Sequence, residues 1–415
     1  MASSVSADAP EALGVGKAAL EALLERGTSG AIAPGERRDA LARFEELPVH
    51  RTIRSSRGWK RDLDKVDLSR LDASAAGAAC VAIEISAEAS ARGVVAVPFA
   101  DAARDHAERF TAARGSALDG RNDKFASLAL AFQNAGAFVF VPAGVRLDEP
   151  IEIRYAAPAE GLFPYTLIVL ESGAAATVVE RFEGAAGAFV CGISEIVAAE
   201  RAEARVVTHQ ALPDDATVVA SRAATLGLGA TLAFALAESG ADFSVDRTRV
   251  FANGRGANAE LSVLFFADGA RHVDVESEVV HAAPDTTSHT IVRTAGTGRG
   301  QGRYVGTIRI LADAHGADAS LRDDALLLSK EAHVDSVPAL EIAANDVKAF
   351  HGATVGAISE DELFYAQSRG ITRADAERMI ALGFFEPALA RFPGEALRER
   401  LRDGLAARLG GGVGA

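Results

Sequence analysis

His351 lies in a run of residues, Ala344–Gly356, whose composition suits binding chemistry. The two glycines that follow it, Gly352 and Gly356, let a backbone turn tightly or approach another group closely. An imidazole just before them can act as a metal ligand or as the centre of a hydrogen-bond network. Because one imidazole makes no metal site without companion ligands, the residues alone leave a structural role for His351 as the commoner alternative.

Two other histidines and both cysteines give weaker indications. His281 and His289 fall on consecutive predicted strands, where they could stack as metal ligands or take part in hydrogen-bonded pairs between coils. Cys80 and Cys191, the two cysteines of the chain, sit in apolar settings where a thiol usually packs as a small buried hydrophobe. Two such thiols exclude a disulfide framework, and they exclude an iron-sulfur cluster held by this chain alone.

Composition narrows the classes of function. The 415 residues are 49% hydrophobic and 24% charged, which is enough apolar material to form a folded core. Lys and Arg number 43 against 57 Asp and Glu, and the resulting net charge of −14 argues against nucleic acid and membrane surfaces as partners. The start of the chain lacks the basic and apolar segments of a signal peptide, so we expect a cytoplasmic protein.

The elements that must position these residues change along the chain in three stages. Helical periodicity predicts a helical domain over residues 1–78, in which Trp59 acts as a packing anchor. Short runs of alternating apolar and polar residues, about 15 residues apart, predict strands over residues 79–350, with helical insertions near 101–135. Helix signals return over residues 351–415, which end in a glycine-rich tail that we expect to be disordered.

The strand-rich region predicts a mainly β fold built by stacking. An alternating strand has one face in a core and one in water, and strands that follow one another without helices exclude a doubly wound sheet. A barrel or a sandwich of this length would be unusually large, whereas a β-helix simply adds coils that bury their inner faces on their neighbours. We therefore predict a parallel β-helix, or β-solenoid, as the core.

Several short motifs follow one another along the chain. They are Val139–Pro142, Thr166–Glu171, Arg303–Ile308, Leu326–Ser329, Pro338–Ile342, Asp346–Lys348, His351–Gly356, Leu363–Tyr365 and Ser368–Ile371. In this order and spacing they resemble the SufB/SufD family of the SUF iron-sulfur assembly system, most strongly from about residue 280 to 390. Two details resemble the SufD branch of that family. SufB-like chains have glutamate where this chain has Gly352, and a cysteine where it has Asp323, Asp324 and Ala325.

The resemblance implies a right-handed parallel β-helix flanked by helical domains, and a scaffold that is not an enzyme. It implies a SufB-like subunit as partner in a heterodimer, and a SufC-like ATPase bound through the C-terminal helices. It also implies that His351 contributes to a transient iron-sulfur cluster shared with SufB. Many SufD chains have a cysteine two residues before this histidine, and Ala349 stands there instead, so no thiol role is carried over.

Phe364, Tyr365 and Arg369, in the first C-terminal helix, form a candidate surface for a partner, because aromatic residues and arginine are favoured at the centres of protein contacts. The alternative is that Phe364 and Tyr365 pin the helix to the end of the solenoid. Two other functions stay open. The chain could pair with itself as a homodimer without a separate SufB, or it could be a β-helix carbohydrate-active enzyme, which would be exported and would carry carboxylates on its wall.

Overall fold

The computed structural model describes residues 17–26, 31–48, 68, 80–118 and 123–410. The predicted anchor Trp59 and the tail 411–415 lie outside the described residues. The helices within these ranges are α1 (Lys17–Arg26), α2 (Pro34–Glu46), α3 (Ala87–Ala91), α4 (Phe99–Asp105), α5 (Ala107–Ala113), α6 (Lys124–Phe132), α7 (Glu360–Ser368), α8 (Arg373–Leu389) and α9 (Glu395–Gly410). The strands are β1 (Val81–Glu84), β2 (Val95–Pro98), β3 (Ala135–Val141), β4 (Ile151–Ala157), β5 (Pro164–Leu170), β6 (Ala175–Gly184), β7 (Phe189–Ala198), β8 (Glu203–Gln210), β9 (Thr217–Leu226), β10 (Thr231–Glu238), β11 (Phe243–Ala252), β12 (Asn258–Ala267), β13 (His272–His281), β14 (Thr287–Gly296), β15 (Gln301–Ile310), β16 (Asp318–Leu327), β17 (His333–Ile342) and β18 (Lys348–Ala357).

Successive strands from β3 onward alternate between two facing sheets. The even sheet has the order β1-β4-β6-β8-β10-β12-β14-β16-β18, and the odd sheet has the order β17-β15-β13-β11-β9-β7-β5-β3-β2. From β3 to β18 each strand pairs in parallel with the strand two places along the chain. The fold is therefore a β-solenoid of about eight turns, which confirms the predicted mainly β class and parallel stacking.

Every coil contributes inward-facing side chains that stack on the same positions of the next coil. One such ladder in the even sheet contains Ile151, Val178, Val206, Phe234, Leu261, Thr290, Leu321 and His351. The corners stack as closely as the strands do. A Cβ atom at Gly254 would lie 2.1 Å from the backbone of Gly227, one coil earlier, so this corner requires glycine.

The apolar interior contains a buried polar network around Arg222. Arg222 of β9 binds Asp246 of the neighbouring strand β11 at 2.7 Å, and it reaches Glu180 of β6 at 3.3 Å across the space between the sheets. Near it, the carboxylate of Glu238 accepts hydrogen bonds from Gln210 at 3.0 Å and from Ser244 at 2.7 Å. The second oxygen of Glu238 is buried without a hydrogen-bond partner among the described residues. Burial therefore works against ionisation of this group.

We expect Glu238 to make the protein less stable as pH rises. Burial raises the pKa of its carboxyl group to about 8 from the ordinary 4.5. Between these two pH values the unfolded chain has released the proton and the folded chain has kept it, so the free energy of unfolding falls by up to about 1.4 kcal/mol per pH unit. Urea unfolding at pH 5 and pH 8.5 should show Glu238→Gln more stable than the wild type only at the higher pH, by about 1 to 3 kcal/mol. The exposed Glu160→Gln serves as control, and equal pH profiles for Glu238→Gln and the wild type would contradict the assignment.

The two ends of the solenoid differ. At the start, β1 pairs antiparallel with β4 and β2 pairs antiparallel with β3, so the first coil is closed by reversed strands. Helix α6 packs over the odd sheet beside them, and Lys124 at its start donates a hydrogen bond to the carbonyl of Leu47 at 2.9 Å. These caps cover the first coil and end the stacking there.

At the other end, β17 and β18 form the last coil, and nothing in the described part of the chain covers it. Ile342 and Val355 continue inward-facing ladders below Ile310 and Ala325, which are buried. They are nevertheless 44% and 46% exposed, because no further coil follows them among the described residues. We call this surface, made by the inward-facing side chains of β17 and β18, the open end.

The C-terminal helices leave the open end free and fold back along the outer face of the even sheet. Phe385 of α8 meets Phe266 of β12 edge to face, with ring centroids 6.5 Å apart. Arg408 of α9 binds Asp268 at 3.0 Å, and the carbonyl of Ala388 accepts a hydrogen bond from Ser262 at 3.1 Å. Among the described residues, no helix has the length and apolar character needed to cross a membrane.

The stretch 351–357, grouped with the C-terminal helices in the sequence analysis, is strand. It completes β18, which pairs with β16 along its whole length, and the helices begin at Glu360. Gly352 and Gly356 do not turn the chain here, because they lie opposite Arg322 and Leu326 in this ladder. A glycine has little conformational preference of its own, so the pairing with β16 decides its conformation.

Candidate functional site

His351 is the last member of its ladder and lies at the open end. It pairs in register with Leu321 of β16, which is buried in the core between the sheets. Registered neighbours on adjacent strands point to the same face, so the imidazole also points between the sheets. It is half-buried, and its Nδ1 atom is buried without a hydrogen-bond partner among the described residues. Ala349, two residues earlier, points the same way and packs against the core.

Asp323 of β16 is a charged residue on the same inward face as His351. Its side chain is inward-facing, because it continues the ladder of Val292 and accepts a hydrogen bond from Ser336 of β17, on the opposite sheet. The side chain is 1% exposed, and burial raises its pKa to about 7. One carboxylate oxygen, Oδ1, has no hydrogen-bond partner within the described ranges.

The next residue, Asp324, points to the opposite face and is fully engaged. It binds Arg293 at 2.6 Å and Arg322 at 2.9 Å, and it accepts a hydrogen bond from Thr354 of β18. These partners lower the pKa of its carboxyl group against the effect of burial. Two consecutive aspartates therefore have different environments, one inside the solenoid and one on its wall.

The other histidines do not meet. The ring of His281 is buried at the end of β13, where it is hydrogen-bonded at 2.8 Å to both Thr286 and Ser288. Burial lowers its pKa to about 4, so it is neutral near pH 7. His289 lies on the outer face of the even sheet and is hydrogen-bonded to Ser320 at 2.8 Å. The stacked pair is therefore absent, and hydrogen bonds to hydroxyl groups account for both rings.

The two thiols lie away from the open end. Cys191 on β7 is buried, donates to the carbonyl of Phe125 at 3.3 Å, and has its pKa raised well above the ordinary value by burial. Cys80 precedes β1 and packs against the core near the capped end. Both settings are those of packing cysteines.

The three residues assigned to a partner surface lie together on and just after α7. The side chains of Phe364 and Tyr365 are 73% and 62% exposed, so they do not pin the helix to the solenoid. The guanidinium of Arg369 lies over the Tyr365 ring at 5.3 Å and donates to its hydroxyl group at 3.2 Å. Leu363 and Ala366 form the buried side of this helix instead.

A cavity of about 180 Å³ opens on the outer face of the odd sheet, away from these residues. Its arginines are matched by carboxylates. Arg247 binds Asp123 at 3.1 Å, and Arg249 binds Glu278. The cavity therefore has no excess positive charge for an anionic ligand.

The residues that the structure describes at the open end do not form a complete metal site by themselves. Within the described ranges, no group of three or more His, Cys, Asp or Glu side chains has the arrangement of a metal site. Among the described residues, the open end offers the His351 imidazole and an apolar rim made by Ile342 and Val355, and the buried carboxylate of Asp323 lies one coil further in. The sequence analysis did not single out Asp323 or this rim as functional. The alternation of inward and outward side chains along β16 and β17 was the available signal. It shows which side chains share a face only when the pairing of the strands is known.

Comparison with known proteins identifies the class of this solenoid. The core domain of SufBD proteins, described as SUF system FeS cluster assembly, matches residues 153–384. A protein of Mycobacterium leprae described as an iron-sulfur cluster assembly SufBD family protein is 29% identical over 264 residues, which cover 62% of this chain and 30% of that protein. A protein of Staphylococcus epidermidis with the same family description is 26% identical over 313 residues, covering 74% of this chain and 67% of that protein. The chain thus matches only about a third of the length of the mycobacterial relative. The family match includes the strands of most coils and the whole open end, and the chain therefore belongs to the SufBD family of SUF-system iron-sulfur cluster assembly proteins.

Proposed function

We propose that this chain is a SufD-type scaffold subunit without catalytic activity of its own. It pairs with a SufB-like subunit through the open end, and a transient iron-sulfur cluster forms at that contact with His351 as one ligand. The observation that carries the proposal is the exposure of inward-facing apolar side chains on the same two strands as an imidazole whose Nδ1 atom has no hydrogen-bond partner among the described residues. Gly352 stands where SufB-like chains have glutamate, and the run Asp323–Ala325 stands where they have a cysteine; both differences support the SufD branch.

The division of chemistry between two subunits fits the positions of the thiols. Cys191 is buried far from the open end, and Cys80 lies beside the capping strand β1. A nascent cluster needs thiolate or comparable ligands, so a partner must supply them while this chain supplies nitrogen and shape. Family membership favours this assembly role over the carbohydrate-active alternative.

Co-expression with a SufB-like and a SufC-like chain, followed by mass measurement of the purified complex, tests the proposal. A complex that contains one copy of this chain and one SufB-like chain is the expected result. A stable assembly of this chain with itself alone, formed in the presence of SufB, would instead support the homodimer. Recovery of this chain as a monomer would contradict both.

The exposed side of α7 supports a second contact, with the SufC-like ATPase. We expect the double variant Phe364→Ser/Tyr365→Ser to weaken binding of the ATPase at least about tenfold, because aromatic residues at contact centres commonly contribute more than 1.4 kcal/mol. Titration of the ATPase onto the purified complex provides the measurement. Pairing with the SufB-like chain should persist.

Leu228, another exposed apolar residue, lies at a corner between β9 and β10 and offers a matched control. Leu228→Ser should bind the ATPase as the wild type does. Unchanged affinity in the Phe364/Tyr365 variant would remove α7 from the contact.

A further inference from the structure

We infer that Asp323 and His351 form one half of a binding site for ferrous iron at the open end, completed by ligands from outside this chain. The inference rests on the proposed function for the identity of the metal, and it assigns a role to Asp323. It is carried by three observations: the register of the strands, the two buried atoms that lack partners, and the contrast between Asp323 and its neighbour Asp324.

The register brings the two side chains to one face. His351 lies opposite Leu321, and Asp323 is two residues further along the same strand, opposite Ala353. Two positions of the same parity on adjacent parallel strands have Cα atoms roughly 8 Å apart, given a strand spacing near 4.8 Å and a rise near 3.3 Å per residue. An imidazole and a carboxylate that each bind a metal at about 2.1 Å can bridge a separation of this size.

The atoms that would bind the metal are those left without partners. His351 Nδ1 and Asp323 Oδ1 are both buried and have no hydrogen-bond partner in the described part of the chain. Each such polar atom costs about 1 to 3 kcal/mol of folding free energy unless something satisfies it. Both atoms belong to the inward face of β16 and β18, the last two strands of the even sheet, where a bound cation would satisfy them.

The second oxygen of Asp323 is held in place. Ser336 donates to Oδ2 from the facing strand β17, which fixes the carboxylate from the opposite sheet and leaves Oδ1 free of that bond. A hydrogen bond from a neighbouring residue commonly orients a carboxylate ligand in this way. Ser336 is therefore a positioning residue in this site.

The donor set suits iron in its ferrous state. Imidazole nitrogen combined with carboxylate oxygen is typical of Fe²⁺ sites that keep open positions, whereas sites that hold a finished cluster are built mainly from thiolates. Two donors from this chain leave positions for water at first and for sulfide or partner thiolates later. No electron transfer is required for this binding step, because the iron enters and stays as Fe²⁺.

Asp324 provides a control that distinguishes a specific metal site from non-specific attraction of cations to acidic residues. Its carboxylate is engaged by Arg293, Arg322 and Thr354, which leaves it no free position for a cation. Asp323 and Asp324 are the same residue type and are adjacent in the chain, yet the side chain of Asp324 lies on the outer wall of the solenoid. If iron binding depends on Asp323 and not on Asp324, the iron therefore binds on the inward face of the strand.

Anaerobic titration of the full-length chain with Fe²⁺, and with Co²⁺ as a spectroscopic probe, tests the inference. We expect Asp323→Asn and His351→Ala each to weaken Fe²⁺ binding at least about tenfold. The double variant should bind Fe²⁺ no more weakly than the weaker-binding single variant, because either change removes the same chelate. Asp324→Asn should bind as the wild type does, and Ser336→Ala, which keeps the carboxylate, should retain binding with altered Co²⁺ absorption. Thermal unfolding of each variant checks that the solenoid is intact.

Asp323→Asn with wild-type Fe²⁺ affinity would overturn the inference and assign the space between the two residues to water. The inference would also be overturned if the losses of Fe²⁺ binding free energy in the two single variants simply added in the double variant. These outcomes are distinct from failure of the proposed function, which is measured as cluster yield in the complex with the SufB-like chain. Normal cluster yield in His351→Ala would reject the scaffold role of His351 even if this chain binds Fe²⁺.

Discussion

Replacing His351 with alanine is expected to lower the cluster yield of the purified complex about tenfold or more, while the complex itself stays assembled. Replacing a residue that only hydrogen-bonds to a metal ligand commonly lowers metal affinity or activity by 10 to 100 fold, so replacing a direct ligand should have at least this effect. The fold should tolerate the change, because the imidazole is half-buried on the last strand and no hydrogen bond within the described ranges depends on its Nδ1 atom. Iron and sulfide content after anaerobic reconstitution gives the yield.

His289→Ala is the matched control for this experiment. His289 lies on the outer face of the same sheet and is bonded only to Ser320 across the ladder in the described structure. Its loss should leave the yield unchanged. If His351→Ala also builds clusters at the wild-type level, the histidine has no role as a ligand and the open end serves contact alone.

Introducing charge at the open end is expected to separate the subunits. Ile342→Asp/Val355→Asp places two carboxylates where two exposed apolar side chains would be buried against the partner. Burial of an aliphatic side chain is worth about 1.5 to 3 kcal/mol, so the double variant should weaken pairing by a hundredfold or more. Mass measurement of the co-expressed subunits at micromolar concentration should then find them apart.

Leu228→Asp, at an exposed corner in the middle of the solenoid, controls for added charge. The midpoint temperature of unfolding should be nearly unchanged in both variants, since none of these side chains is buried in the isolated chain. A heterodimer that survives the Ile342/Val355 change at micromolar concentration would place the contact elsewhere on the molecule.

The sequence predicts the solenoid well because its signal is repeated. Runs such as Phe243–Asp246 and Glu260–Val263 alternate in the same way, and one error in them does not alter the fold. β18 was the exception. Gly352 and Gly356 left open either a tight turn or a close approach of the backbone, and both are extended because β16 supplies an edge on which residues 348–357 pair.

The candidate site depended on facts that a single sequence does not contain. Asp323 and Asp324 are equivalent acids until the register is known, and a shift of one residue would exchange their faces. His281 and His289 lie on consecutive strands, but those strands belong to different sheets. The resemblance pointed to His351, whereas the carboxylate beside it and the exposed rim required the three-dimensional arrangement.

The position of the cysteines near the capped side of the solenoid limits what kind of pairing can assemble a cluster. Two copies of this chain joined at their open ends by a two-fold axis would present the same groups from both sides. Such a pair would offer two imidazoles and two carboxylates but no sulfur, since Cys191 is buried on β7 and Cys80 precedes β1. Symmetry therefore sets the ligand chemistry: a pair of like chains provides nitrogen and oxygen donors only, and only an unlike partner can add thiolates.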